Sequence, residues 1–283
     1  MLILKIKYLN NFNYDYYMKK ARLEDGSYIY CISKLEAQML DIHVSGYFDN
    51  GIILNDGDTV IDVGANIGMF GHKLSKKFHN INIIALEPIK NIFNVLKENA
   101  KNTNNNKYKT YHCGLSDKNE FLDLYYYPNC PAMSTSDPNI WKNKKELLSA
   151  FEGSIKFGPK FWWWSKYIPH SLYPLILFWL TRKSKKVKCE LKTLSYIIRK
   201  NNLKEINLLK IDCEGNELNV LKGIDADNWQ MINQIVLEVH DINNRFNKVK
   251  NLLNSHGFKI CTSKEPSLVN TNLLNIIATK AAA

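Results

Sequence analysis

Asp58-Thr59-Val60-Ile61-Asp62-Val63-Gly64-Ala65-Asn66-Ile67-Gly68 runs an apolar strand into a glycine-bearing turn and on toward a helix. Gly64 can turn where a side chain would clash, and Gly68 lets the next helix begin close to a ligand with its first N–H groups free. The spacing is Gly-x-x-x-Gly, not the Gly-x-Gly-x-x-Gly of a dinucleotide fingerprint, and Asp62 places a carboxylate inside the turn. That arrangement favours a cofactor with an amino group over one with a pyrophosphate. Taken alone, the motif also fits an ordinary tight turn.

The second signal is Ile81-Asn82-Ile83-Ile84-Ala85-Leu86, a buried-strand pattern ending in Glu87-Pro88. A carboxylate at the tip of the second strand of a βαβ unit can accept hydrogen bonds from two ribose hydroxyls. Strand and helix patterns then alternate: helix 90–102, strand 107–113, extended 121–127, helix 193–200, strand 206–211, helix 216–222. Strand 234–239, helix 244–255 and strands 258–262 and 271–278 complete the series. Alternation of this kind predicts an α/β fold with a mostly parallel sheet and helices on both faces. Ligands of such sheets bind beyond the carboxyl ends of the strands, where Asp62, Glu87, Asp212 and Glu238 fall.

Further segments extend the pattern: Asn99, Gly114-Leu115-Ser116-Asp117, Ala132-Met133-Ser134-Thr135, Leu208-Leu209-Lys210-Ile211-Asp212-Cys213-Glu214-Gly215-Asn216-Glu217 and Val236-Leu237-Glu238-Val239-His240. With Asp-Val-Gly-Ala-Asn-Ile-Gly and Leu86-Glu87-Pro88, they span residues 58–240 and resemble the FkbM family of S-adenosylmethionine-dependent methyltransferases. The resemblance implies a Rossmann-like class I methyltransferase fold with a seven-stranded sheet, and S-adenosyl-L-methionine as cofactor. It implies cofactor contacts at Asp62, Gly64, Asn66, Gly68, Glu87, Ser116, Asp117 and Asp212, with Asp117 accepting from the adenine amino group. It also implies O-methylation of a hydroxyl on a sugar, polyketide-like or lipid-linked small-molecule acceptor. Cys213 stands where the family usually carries a small aliphatic residue.

The 283 residues, 45% hydrophobic, suffice for one large domain. Residues 1–57 read as an N-terminal cap of unassigned function. Residues 58–280 read as the methyltransferase domain, interrupted by an insertion at 137–187. Six cysteines without a Cys-x-x-Cys pair suggest neither a zinc site nor a disulfide framework, and a reducing cytoplasmic setting is expected. Met1-Leu2-Ile3-Leu4-Lys5-Ile6 is too short an apolar run for a leader, and no run approaches the ~18 residues of a spanning helix. Ala281-Ala282-Ala283 reads as an appended tail.

The insertion is unusual in charge. No acidic residue occurs between Glu152 and Glu190, while that stretch holds eight cations and Trp162, Trp163, Trp164 and Trp179. An aromatic block flanked by lysines fits a membrane surface through residues 154–188, or a lid over a long apolar acceptor; it equally fits an insertion folded onto the domain. Pro169 and Pro174 break any continuous helix there. Basic and aromatic residues together also raise RNA methylation, and a non-catalytic membrane-binding module that kept the fold is the other alternative. Nucleic acid is disfavoured, because Asp212-Cys213-Glu214-Gly215 stands where amino-methylating enzymes carry Asn/Asp-Pro-Pro-Tyr.

Methyl transfer to a hydroxyl needs in-line alignment, exclusion of water and removal of one proton. His240, Asp212 and Glu238 are the catalytic candidates, with Glu214 beside them. Glu238 and His240 alternate to one strand face, which reads as a base with its orienting carboxylate, and an imidazole has the most suitable ordinary pKa. Asp212, Glu238 and His240 lack a firm metal-ligand spacing, and no metal is expected.

Overall fold

A computed structural model describes residues 18–48 and 51–280. The leader-like residues 1–6 and the tail 281–283 lie outside the described residues. The N-terminal segment forms an antiparallel hairpin of β1 (Lys19–Arg22) and β2 (Tyr28–Cys31), followed by α1 (Lys34–Phe48). Ser33 Oγ accepts the Glu36 N–H at the start of α1, and Ala37, Val44 and Tyr47 turn one face of it inward.

The expected alternation follows: β3 (Thr59–Val63), α2 (Met69–Lys77), β4 (Asn82–Leu86), α3 (Lys90–Lys101) and β5 (Tyr108–Tyr111). Next come β6 (Gly114–Leu115), β7 (Glu120–Tyr126), α4 (Lys144–Lys156), α5 (Tyr173–Thr181) and β8 (Lys185–Lys192). The chain closes with α6 (Leu194–Asn201), β9 (Leu208–Ile211), α7 (Glu217–Lys222), β10 (Gln234–His240), α8 (Arg245–Ser255), β11 (Phe258–Ser263) and β12 (Leu273–Lys280). Seven strands form one sheet in the order β11-β12-β10-β9-β3-β4-β5. Neighbours from β10 to β5 are parallel, and β12 runs antiparallel between β10 and β11.

Period-two alternation divides the central strands between two cores. Val60, Ile83, Leu208 and Val236 face the core shared with α1, α2 and α3. Ile61, Ile84, Leu209 and Leu237 face the core beneath α6, α7 and α8. The first face turns polar toward the strand ends. Register sets Asp62 beside Lys210, and Asp212 and Glu238 continue that stripe toward the carboxyl edge, under α1.

The insertion folds onto the domain as 3-10 turns plus α4 and α5. A Cβ on Gly153 would come 1.8 Å from the Ser267 carbonyl, so glycine lets α4 pass directly over the 266–268 turn. The basic block is divided: Lys185, Lys186 and Lys188 belong to β8, which joins β6 and β7 in a three-stranded sheet and pairs them with Tyr126, Tyr125 and Asp123. No helix among the described residues is long and apolar enough to cross a membrane.

Candidate active site

The turn after β3 is held by backbone geometry. Gly64 adopts φ +74°, and a Cβ there would lie 1.8 Å from the Asp212 carbonyl, so only glycine lets the turns after β3 and β9 touch. Gly64 and Ala65 donate to the Leu86 carbonyl at 3.1 and 3.0 Å. Glu87 accepts the Asn66 N–H at 3.1 Å on one oxygen and the Ile89 N–H at 2.8 Å on the other. Burial pushes its carboxyl up to about 7, against the pull of those two donors. Asn99 of α3 braces the turn from behind, donating to Ile67 and Tyr30 carbonyls and accepting the Tyr30 N–H.

A chain of charges runs along the stripe under α1. Lys210, 3% exposed, places Nζ 3.0 Å from Asp62, 3.3 Å from Asp212 and 3.3 Å from the Gly64 carbonyl. Burial opposes its charge, but Asp62 and Asp212 outweigh that and hold its pKa above the ordinary lysine value. For Asp212, burial pulls upward, and Lys210 and His43 more than compensate, so its carboxylate is ionised below the usual range. The Tyr47 hydroxyl donates to Glu238 at 2.6 Å and reaches Asp212 at 3.3 Å. Burial beside these carboxylates pushes its phenol well above the ordinary value, which keeps it a donor. His43, one helical turn before Tyr47, spans Glu238 at 2.8 Å and Glu265 at 2.9 Å. Burial would lower its pKa, yet the two carboxylates raise it well above normal, so it is an imidazolium donating from both nitrogens.

His240 belongs to a separate pair. Its Nε2 lies 2.7 Å from Glu214, and Trp141 meets the ring edge-on at 5.4 Å. Burial lowers its proton affinity, but the hydrogen bond and charge of Glu214 raise the pKa to about 9. Glu214 sits in the left-handed region at φ +46°, its carbonyl held by the Thr135 hydroxyl. Buried Glu217 accepts the Gly215 N–H at 2.6 Å and lies 3.4 Å from Arg245, a structural post for this turn.

His43, Glu87, Lys210, Asp212, Glu214, Glu238 and His240 share a cavity of about 1040 Å³. That exceeds the ~300–1,000 Å³ of a typical ligand pocket and leaves room for two molecules. Gly64, Asn66, Glu87, Asp212, Glu238 and His240 line one end. Met133, Phe151, Trp164, Ile168 and Leu177 line the other, and Glu36 also lines the cavity. One Glu36 oxygen accepts the Ala132 N–H at 2.7 Å, and burial pushes the carboxyl up to about 8.

Six of the residues expected at the site therefore meet in one cavity, and four do not. Asp62 is fully buried behind the wall as the counter-ion of Lys210. Gly68 is not among the cavity-lining residues; it adopts φ +84°, and a Cβ there would lie 2.7 Å from the Leu96 side chain. Ser116 is buried against the Lys192 carbonyl and Asp117 is exposed; the neighbouring Gly114 and Leu115 line the cavity in their place. The expected Glu238–His240 partnership is also corrected: the imidazole on Glu238 is His43, and the carboxylate on His240 is Glu214. Likewise His43, not His240, joins Asp212 and Glu238 as a third potential metal-ligand atom within 4.8 Å. The Lys210 ammonium and Tyr47 hydroxyl already engage those carboxylates.

His43, Tyr47 and Lys210 are site residues that motif reading passes over. A lysine inside Leu208-Leu209-Lys210-Ile211 was a signal for a buried partner, and His43-x-x-x-Tyr47 has the spacing of one helix face.

Known proteins resemble this chain over most of its length. The Methyltransferase FkbM domain family matches residues 62–260. The 31-O-demethyl-FK506 methyltransferase FkbM of Streptomyces tacrolimicus is 29% identical over 94% of this chain and 98% of its own. Methyltransferase sdnD of Sordaria araneosa is 32% identical over 82% of this chain and 85% of its own. Among solved structures, the Methyltransferase FkbM of Methylobacillus flagellatus KT superposes with a TM-score of 0.50 at 14% identity, covering 82% of this chain and 46% of that one. This likeness bears on the fold alone.

Proposed function

Since the chain belongs to the FkbM family of methyltransferases, on the domain match over residues 62–260, we propose that it methylates a hydroxyl of a bulky, largely apolar acceptor with S-adenosylmethionine as donor. The observation that carries this reading is the two-ended cavity, polar at the strand tips and apolar under the insertion. A relative named for 31-O-demethyl-FK506 is compatible with an oxygen acceptor.

The donor set fits the cofactor: Glu87 stands at a strand tip beside the glycine turn, where a carboxylate can receive a ribose diol. S-adenosylmethionine supplies an electrophilic methyl on a sulfonium whose leaving group is neutral. The protein then has to align the acceptor, exclude water and take a proton, and positioning of this kind is worth ~7–11 kcal/mol. Of the three candidates, Asp212 is a weak base because Lys210 stabilises its anion. Glu238 is occupied by Tyr47 and His43. His240, oriented by Glu214, is left as the proton acceptor, while Asp212 and Glu238 position the charges around it. Because Glu214 raises its pKa to about 9, His240 accepts the proton in its neutral fraction, which grows as pH rises toward that value.

The test is a calorimetric titration of S-adenosylmethionine, followed by mass-spectrometric screening of hydroxylated apolar acceptors with methyl-labelled donor. The reading predicts cofactor binding that Glu87→Ala removes, and a label that resists amide- and amine-specific chemistry. Absence of cofactor binding would overturn it.

A further inference from the structure

Nine of the fifteen large hydrophobic side chains exposed among the described residues fall between Phe157 and Trp179, so they form a patch and not a scatter. Its outermost members are Trp163, Tyr167, Leu175 and Phe178, each more than 60% exposed. Lys156, Lys160, Lys166, Arg182 and Lys183 share the segment, with no acidic residue among them. Three of these cations lie over aromatic rings: Lys156 at 5.2 Å from Phe157, Lys166 at 5.2 Å from Tyr167 and Arg182 at 6.0 Å from Trp179. Two carboxylates meet the segment, Glu152 at 3.7 Å from His170 and Glu24 accepting the Lys160 N–H.

The patch is continuous with the cavity. Phe157, Trp164 and Trp179 are exposed on one side and line the cavity on the other, so they form its rim. α5 has nine residues, too short to span a bilayer and suited to lying along one.

We propose that residues 157–183 dock the protein on an anionic bilayer surface, with the cavity rim facing the lipid. Tryptophan and tyrosine place their rings at headgroup depth, leucine and phenylalanine reach below them, and the cations meet lipid phosphate. Pairing with a second copy through the same face would oppose cations with cations, and nothing on the patch offsets them. Docking stands on these observations alone; delivery of a lipid-linked acceptor through the rim rests on the methyl-transfer reading.

The experiment is co-sedimentation of the full chain with phosphatidylcholine vesicles, with and without about 30% phosphatidylglycerol, beside a cofactor titration of the same preparation. The proposal predicts binding to the anionic vesicles at least ~10-fold tighter than to neutral ones. Trp163→Ser/Leu175→Ser/Phe178→Ser, or Phe178→Ser alone as the milder change, lowers that binding and leaves cofactor affinity and Tm unchanged. Lys160→Ser/Lys166→Ser/Arg182→Ser removes the preference for anionic lipid. Vesicle binding without cofactor binding would keep the docking surface and sink the methyl-transfer reading. Cofactor binding without vesicle binding would overturn the docking surface, as would a dimer that the triple Ser variant dissolves, or RNA displacing the vesicles.

Discussion

The two ends of the cavity are built by different physics. The cofactor end is made of strand tips, where backbone hydrogen bonds hold Glu87, and a buried charge chain locks Lys210, Asp212 and Glu238. The acceptor end is made of 3-10 turns and two helices, and α4 has no fully buried residue. A change at the first end is felt by the whole domain. A change at the second alters what the cavity accepts, because little else depends on it.

The sharpest way to break this contrast is Lys210→Met. It strands Asp62 and Asp212 without their cation, and loss of one partner of a buried pair costs about 3–5 kcal/mol. Denaturant unfolding should show that loss, and Asp62→Leu added to Lys210→Met should recover much of it. Equal losses in the single and double variants would mean that the lysine acts through packing. Glu87→Ala comes next, lowering cofactor affinity by about 2 kcal/mol or more, roughly 30-fold, in a calorimetric titration. Trp164→Ala, at a 43% exposed position on the rim, should change stability by less than about 1 kcal/mol and leave cofactor affinity alone. A large drop in Tm would show the insertion to be part of the core.

The smallest effect is in pH. Because the folded-state pKa of His240 is raised to about 9, the stability it contributes is fully present below the unfolded value near 6.5 and is lost as pH rises through 9. Glu214→Gln should flatten unfolding free energy across that window. In turnover the same substitution should move the alkaline-rising limb of the rate profile toward lower pH, since the carboxylate that raises the imidazole pKa is gone. An unmoved limb would assign the proton to another group.

Much of the cofactor end was legible in sequence, since Gly64, Glu87 and Asp212 each follow directly on the last residue of a strand whose apolar run marks its end. What the strand pattern hides is depth. Asp62 shares the face of Lys210, Asp212 and Glu238 but lies deeper along it and fully buried, and Ser116 is buried one residue beyond cavity-lining Leu115. Glu238 and His240 do share a face as read, yet their partners come from α1 and from the turn after β9, tertiary contacts that no local period encodes. The insertion showed its charge and aromatic content in the sequence, but not that Lys185, Lys186 and Lys188 join a strand while Phe157, Trp164 and Trp179 ring the cavity.

The most direct test is one calorimetric titration of S-adenosylmethionine into three proteins: wild type, Glu87→Ala and Trp164→Ala/Trp179→Ala. The two-ended cavity predicts binding in the wild type, its loss in Glu87→Ala and wild-type affinity in the rim variant. Binding that survives Glu87→Ala, or fails in the rim variant while its fold is intact, would contradict the division.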